Sequence, residues 1–250
     1  MSLITKKIVN WLKDYSEQSG LYTYVIGVSG GIDSALTSAL CAVTGHRTIV
    51  VSMPLHQNPE QLKLAHEHID WLTSRYKNVF SQEKDLTNAF EAFQQLFEKN
   101  ESSELALANS RSRLRMLTLY QIAQSNDALV VGTGNKVEDF GVGFFTKYGD
   151  GGVDISPIAD LMKSEVRELA RSLEVSKNII NAPPTDGLWG DDRTDEEQLG
   201  VSYSELEWAM EYNGEKKLNS EKKKILELYY NLHNKNKHKM VPIPVCKIER

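Results

Sequence analysis

The sequence predicts a doubly wound α/β fold: a mostly parallel sheet with helices on both faces. Short apolar, β-branched runs alternate with longer runs of helical period along the chain. Two short runs, residues 21–26 and 128–131, lead directly into glycine-bearing loops at 27–34 and 132–135. In this architecture ligands sit beyond the carboxyl ends of the strands, where both loops fall. With 250 residues, 40% hydrophobic, the chain is long enough for one domain spanning 1–250 with a sizeable core.

Each element has its own signal. Leu3, Ile4, Ile8, Trp11, Leu12 and Tyr15 recur at helical spacing, so the chain opens on an amphipathic helix. Residues 21–26 read as a buried strand, and 35–41 as a helix with Gly45 as its C-cap. Residues 47–53 form a second parallel strand closed by Pro54. Pro59 opens a helix to Arg75. Its His66 and His68 lie two apart and point to different faces, so they read as surface histidines, not metal ligands. Residues 78–80 are a short strand. Leu86, Phe90, Phe93 and Phe97 mark one helix face, a stripe that suits core or subunit interface. After a polar break at 100–103, residues 105–123 are helical and 128–131 form a strand.

The second half is more irregular. Residues 141–152 are dense in glycine and read as a site loop. Asp160 is expected to cap a helix over 161–173. The stretch 181–195, with Pro183, Pro184, Gly187 and Gly190, has the length of a lid. Helices follow at about 202–212 and 220–234, then a basic tail at 235–240 and a Pro-containing segment that cannot be helical.

Composition excludes several classes. A net charge of −5 argues against a nucleic-acid footprint. Two cysteines, Cys41 and Cys246, are too few for a disulfide framework, which points to a reducing cytoplasm. The N-terminus lacks a secretory apolar region, and no run approaches the ~20 apolar residues of a membrane span.

The first loop, Gly27-Val28-Ser29-Gly30-Gly31-Ile32-Asp33-Ser34, is the most informative stretch. A strand-to-helix turn aims backbone N–H groups and the positive helix end at one point. Glycine lets a phosphate approach the backbone, and Ser29 and Ser34 add hydroxyl donors. Asp33 would repel phosphate unless a cation lay between them, so it reads as a magnesium ligand. The spacing is wrong for the dinucleotide fingerprint, and Ile32 after Gly31 rules out a Walker loop. What remains, Ser-Gly-Gly-x-Asp-Ser, resembles the loop of the ATP pyrophosphatases, which cleave ATP at its α-phosphate.

Further blocks narrow the resemblance. Residues 109–116 (NSRSRLRM), 132–138 (GTGNKVE), 144–154 (FFTKYGDGGVD), 157–163, 183–189 (PPTDGLW) and 237–239 (KHK) together resemble the NAD synthetase family. That resemblance implies an adenine nucleotide alpha hydrolase-like fold. It implies ATP-dependent amidation of deamido-NAD to NAD through an acyl-adenylate, releasing AMP and pyrophosphate. Only about twenty residues precede the first strand, too few for the nitrilase-like domain of glutamine-dependent members. The expected form therefore uses free ammonia. It is expected to act in the cytoplasm as a homodimer, without nucleic acid or membrane.

The resemblance also implies roles. ATP would meet residues 27–34, Thr133, Lys163 and Thr185, with Mg2+ on Asp33 and Glu138. Arg113, Lys147, Asp154, His238 and Lys239 would hold deamido-NAD, whose pyrophosphate is dianionic. Asp150 would place or deprotonate ammonium, giving Asp33, Glu138 and Asp150 as the catalytic set. Two features depart from the family pattern. Leu55 stands where an aromatic residue is common, and 190–193 is slightly stretched. The rivals are another ATP pyrophosphatase and a non-catalytic nucleotide sensor on the same fold.

Overall fold

Side-chain alternation along the strands sets the layers. In β1 (Thr23–Gly27), Tyr24 and Ile26 point to one face and Val25 to the other, all fully buried. β2 (Arg47–Ser52) repeats the pattern, with Val50 on the first side and Ile49 and Val51 on the second. On the first face lie α1 (Leu3–Ser19), α2 (Ile32–Val43), α3 (Pro59–Arg75) and, further on, α6 (Lys163–Ser172). On the second lie α4 (Thr87–Gln94) and α5 (Glu104–Gln124), whose Phe90, Ile122 and Ala123 pack on Val25 and Val130. At about 2 kcal/mol per fully buried aliphatic side chain, these two layers carry most of the stabilisation. The structure is a computed structural model describing residues 1–98, 103–185, 187, 193–214 and 218–248.

All four strands of the sheet run parallel, in the order β3-β2-β1-β4, with β3 at Val79–Glu83 and β4 at Ala128–Val130. The order reverses between β1 and β4, which opens a crevice at their carboxyl ends. A bridge from Val131 to Ile155 extends the β4 edge. Beyond it stands a third cluster made by a short π-helix (Val137–Val142), α8 (Asp195–Leu199), α9 (Tyr203–Glu211) and α10 (Ser220–Met240). α7 (Lys177–Asn181) packs back on the first layer.

Several local expectations change. Thr44, not Gly45, is the C-cap of α2, although Gly45 does take the left-handed conformation after it. His68 is 1% exposed and is no surface residue. It falls on the buried side of α3 with Ala65, Ile69 and Leu72, and its Nε2 meets Ser38 Oγ at 2.9 Å. Ser38 spends its own hydrogen on the Ser34 carbonyl at 2.7 Å, so His68 must be the donor. Burial lowers its pKa to about 4. Asp160 caps nothing: its side chain is 97% exposed and pairs with Lys136 at 3.0 Å. α6 starts two residues later than expected, at Lys163, with the Met162 N–H held by Glu165 at 2.8 Å.

The basic stretch 235–240 is the last part of α10, not a tail; residues 241–244 are non-helical as expected. The stretch 181–195 is partly taken up by α7 and α8, and its residues 186 and 188–192, with most of the stretched 190–193, lie outside the described residues.

Candidate active site

The 27–34 loop crosses from β1 to α2 as the sequence implies. Gly30 has φ +90°, and a Cβ there would collide with the Gln61 carbonyl of α3. Only glycine lets the loop pass under that helix. Ser29 and Ser34 brace it: Ser34 Oγ donates to the Gly31 carbonyl at 2.9 Å and accepts from the Ser29 N–H at 3.2 Å. The first N–H groups of α2 have no intrahelical partner and face the crevice end of the sheet.

At the head of α2, Asp33 meets two groups from distant parts of the chain. Lys163, the first residue of α6, places Nζ 2.5 Å from Asp33 Oδ2 and 2.9 Å from Glu138 Oε1. Asn135 Nδ2 donates to Asp33 Oδ1 at 3.1 Å, while its Oδ1 accepts from the N–H groups of Val137 and Glu138 at 3.1 Å each. Asn135 thus joins the two glycine-bearing loops and starts the π-helix. That helix lifts Glu138 toward Asp33, and Tyr203 of α9 donates to the same Glu138 Oε1 at 2.5 Å.

Charge follows from this geometry. Lys163 is 2% exposed. Burial alone would neutralise it, but Asp33 and Glu138 outweigh burial and hold its pKa above the ordinary lysine value. Burial and the neighbouring Glu138 leave the Asp33 carboxyl above its usual range, despite Lys163. For Glu138, burial is outweighed by Lys163, Tyr203 and Asn135, and its pKa falls. Asp139 had no role in the sequence reading. Its carboxyl lies against Gly134, where a Cβ would collide with it. Burial, Glu138, Asp150 and Asp33 push it up to about 8.

A second group gathers around residues 145–154. Ser112 Oγ donates to Asp150 Oδ1 at 2.7 Å, and the Thr146 N–H donates to the same oxygen at 3.0 Å. Asp150 has an exposed edge, while the groups packed around its carboxylate raise its pKa against the bonds from Ser112 and Thr146. Arg113 Nε reaches the Lys147 carbonyl at 3.3 Å, and Lys147 Nζ the His238 carbonyl at 3.0 Å. Lys239 Nζ donates to the Phe145 carbonyl at 2.8 Å, and burial lowers its pKa although Asp150 opposes the shift. These cations converge because α10 runs through residue 240. Asn236 and His233 fasten that helix to the Val142 and Gly141 carbonyls at 2.9 and 2.8 Å. The ring of His238 turns back onto its own helix, at 3.2 Å from the Lys235 carbonyl.

Asp154 is tied down at both oxygens, by the Val130 N–H at 2.8 Å and the Tyr120 hydroxyl at 3.0 Å. Thr133 lies in the loop after β4. Thr185 Oγ1 donates to the Arg193 carbonyl at 3.2 Å. Leu55, at the departure from the family pattern, is buried against the second sheet face. Asn135, Asp139 and Tyr203 are the site residues that sequence reasoning passed over. Asn135 had a signal, ending a glycine loop at a strand's carboxyl end. Tyr203 had none, lying 65 positions from its partner Glu138.

A glycine-serine loop over a helix start, with two carboxylates and a buried lysine beside it, suits an enzyme that binds the phosphates of a nucleotide. The NAD synthase family model matches residues 4–242. The NH(3)-dependent NAD(+) synthetase of Mesoplasma florum is 40% identical over 80% of both chains. A solved NMN synthetase from Francisella tularensis superposes with a TM-score of 0.87, at 34% identity over 98% of each chain. The NH3-dependent NAD synthetase of Campylobacter jejuni gives a TM-score of 0.79 at 27% identity, again over 98% of each. The chain belongs to the NAD synthase family, ligases of NAD biosynthesis that use ATP as co-substrate. The reaction that goes with this membership is ammonia-dependent amidation of deamido-NAD to NAD. Among the described residues, no helix is long and apolar enough to cross a membrane.

Proposed function

We propose that this chain carries out that reaction as one synthetase domain, with the residues above in defined roles. The observation that carries the reading is the Asp33–Glu138–Lys163 cluster at the reversal of strand order, with Arg113, Lys147 and Lys239 gathered on backbone carbonyls of residues 145, 147 and 238. The nicotinate carboxylate attacks the α-phosphorus of ATP and pyrophosphate leaves. Ammonia then attacks the acyl-adenylate carbonyl and AMP leaves. Both steps need placement and charge neutralisation more than covalent help. The 27–34 loop, Thr133 and Thr185 hold ATP. Arg113, Lys147, Asp154, His238 and Lys239 hold the acceptor nucleotide. Asp150 places ammonium and takes its proton, which frees the lone pair that attacks the carbonyl.

The donors suit Mg2+. Among the described residues no three or more His, Cys, Asp or Glu side chains are placed to hold one metal ion together. Mg2+ commonly needs only one or two carboxylates, completing its shell with water and phosphate. Asp33 and Glu138 are already drawn to one shared ammonium and would hold the ion, which supplies neutralisation at the ATP phosphates. Lys163 keeps the two carboxylates together beforehand and, once displaced, offers the phosphates a point charge. A cytoplasmic homodimer belongs to the same reading. The exposed Phe93, Phe97 and Leu117 of the α4–α5 region support a subunit interface there.

A second reading concerns the acceptor. The Francisella tularensis relative is an NMN synthetase, and its likeness extends over nearly the whole of both chains. The acceptor would then be nicotinate mononucleotide, with the same two steps on the same carboxylate. One experiment separates the readings: incubation with ATP, Mg2+ and ammonium, offering deamido-NAD or nicotinate mononucleotide, with chromatography of products. A higher kcat/KM for deamido-NAD supports the first reading, and the reverse ratio the second. AMP formed only with some other acid, or ATP bound and never consumed, would overturn both.

A further inference from the structure

Tyr203 comes from α9, outside the sheet, yet its hydroxyl lies in the middle of the acidic cluster. It is 2% exposed, 2.5 Å from Glu138 Oε1 and 3.2 Å from Asp195 Oδ2. A phenol has one hydrogen and can give it to only one of these carboxylates at a time. The shorter distance assigns it to Glu138. The Tyr203 ring lies 4.7 Å from Lys163 Nζ, so the residue touches both halves of the Glu138–Lys163 pair.

Asp195 links the other way. It opens α8, and its N–H donates to the Pro184 carbonyl at 3.0 Å, next to Thr185. We propose that Tyr203 is a positioning residue coupling Glu138 to the Pro184–Asp195 contact. Its O–H turns from Glu138 to Asp195 when a divalent cation takes the Glu138 oxygen. No proton leaves the phenol; one hydrogen bond is exchanged for another. By linkage, a cation that strengthens the Tyr203–Asp195 bond is itself bound more tightly when the Asp195 N–H holds the Pro184 carbonyl.

The inference rests on Asp33 and Glu138 being the cation site, so that point is tested separately. Mn2+ binding to the ATP-loaded protein is measured by electron paramagnetic resonance. Amide exchange at residues 195–199 is measured with ATP plus Mg2+ and with ATP plus chelator. Wild type should bind Mn2+ and show a metal-specific slowing of about tenfold, the effect of one charge-assisted hydrogen bond. Tyr203→Phe keeps the ring and should lose that slowing while still binding Mn2+. Asp195→Ala, which leaves Tyr203 no side-chain acceptor there, should lose it too, and this covers the case in which Tyr203→Phe does not fold. Equal slowing in wild type and a folded variant overturns the coupling alone. Absence of Mn2+ binding in wild type, or its persistence in Asp33→Asn, overturns the cation-site reading with it.

Discussion

Lys163 and Lys239 both lie near carboxylates and are held in opposite ways. Lys163 is buried between two carboxylates, fixed by ionic bonds to elements 130 and 25 positions away. Lys239 is half-buried and rests on a backbone carbonyl at 2.8 Å, as Lys147 does at 3.0 Å. A buried charge pair is costly to break, because the partner left behind has no water to turn to. A cation on a carbonyl at the rim can exchange that oxygen for a phosphate oxygen at little cost. The first group is therefore built into the folded frame, and in the proposed reading the second is the one that exchanges its carbonyl for a ligand.

The largest effect is expected at the carboxylates. Asp33→Asn and Glu138→Gln should each lower kcat by about 10²–10³, because stabilisation aimed at developing charge is lost. Near-normal rates at saturating Mg2+ in either variant would remove the two-carboxylate assignment.

Lys163→Met comes next, because it tests whether the cluster holds the fold. It leaves two buried carboxylates without their cation, and stability should fall by about 3 kcal/mol. Added Mg2+ should return part of that loss. Urea unfolding with and without Mg2+ measures both. Unchanged stability would mean that Lys163 is no more built in than Lys239.

These expectations show where the sequence was legible. The eight-residue loop could be read because its chemistry is local: glycine, hydroxyls and one misplaced carboxylate within a single turn. The layered fold could be read because short apolar runs such as 21–26 alternate along the chain with runs of helical period. Lys163 was visible as a cation but not as the bridge between Asp33 and Glu138, since that position depends on where α6 starts. The π-helix that carries Glu138 has no periodic signature. The end of α10 was misread because the helix is held there by Asn236 and His233 bonding to carbonyls nearly a hundred positions earlier. Such long-range contacts override local composition.

Asp139 tests how acidic the frame is before a cation arrives. Its folded pKa of about 8 lies above the unfolded value near 3.8. The folded state therefore holds a proton that the unfolded chain releases, and this contribution to stability is full below pH ~4 and lost as pH rises through 8. Asp139→Asn should match wild type near pH 4 and be more stable by about 2 kcal/mol near pH 8, less than full linkage because water and ions enter an open site. Mg2+ should shrink the gap. Thermal melts across that range would show it, and parallel curves would mean that Asp139 ionises normally.

The smallest effects belong to the rim. Arg113→Ala, Lys147→Ala and Lys239→Ala each remove one cation resting on a carbonyl, with no buried charge left behind. Stability should change by no more than ~0.5 kcal/mol. The KM for the acceptor nucleotide should rise by roughly five- to tenfold, about 1 kcal/mol per lost phosphate contact, with kcat little changed. Added salt should raise the wild-type KM and raise it less in the variants, because there is less attraction left to screen. Lys239 carries a further expectation: Asp150 faces it, so its loss also leaves that carboxyl with less positive charge nearby. The ammonium KM should therefore move in Lys239→Ala and stay still in Arg113→Ala. A stability loss like that of Lys163→Met, with acceptor KM unchanged, would place these cations in the frame and erase the difference between the two groups.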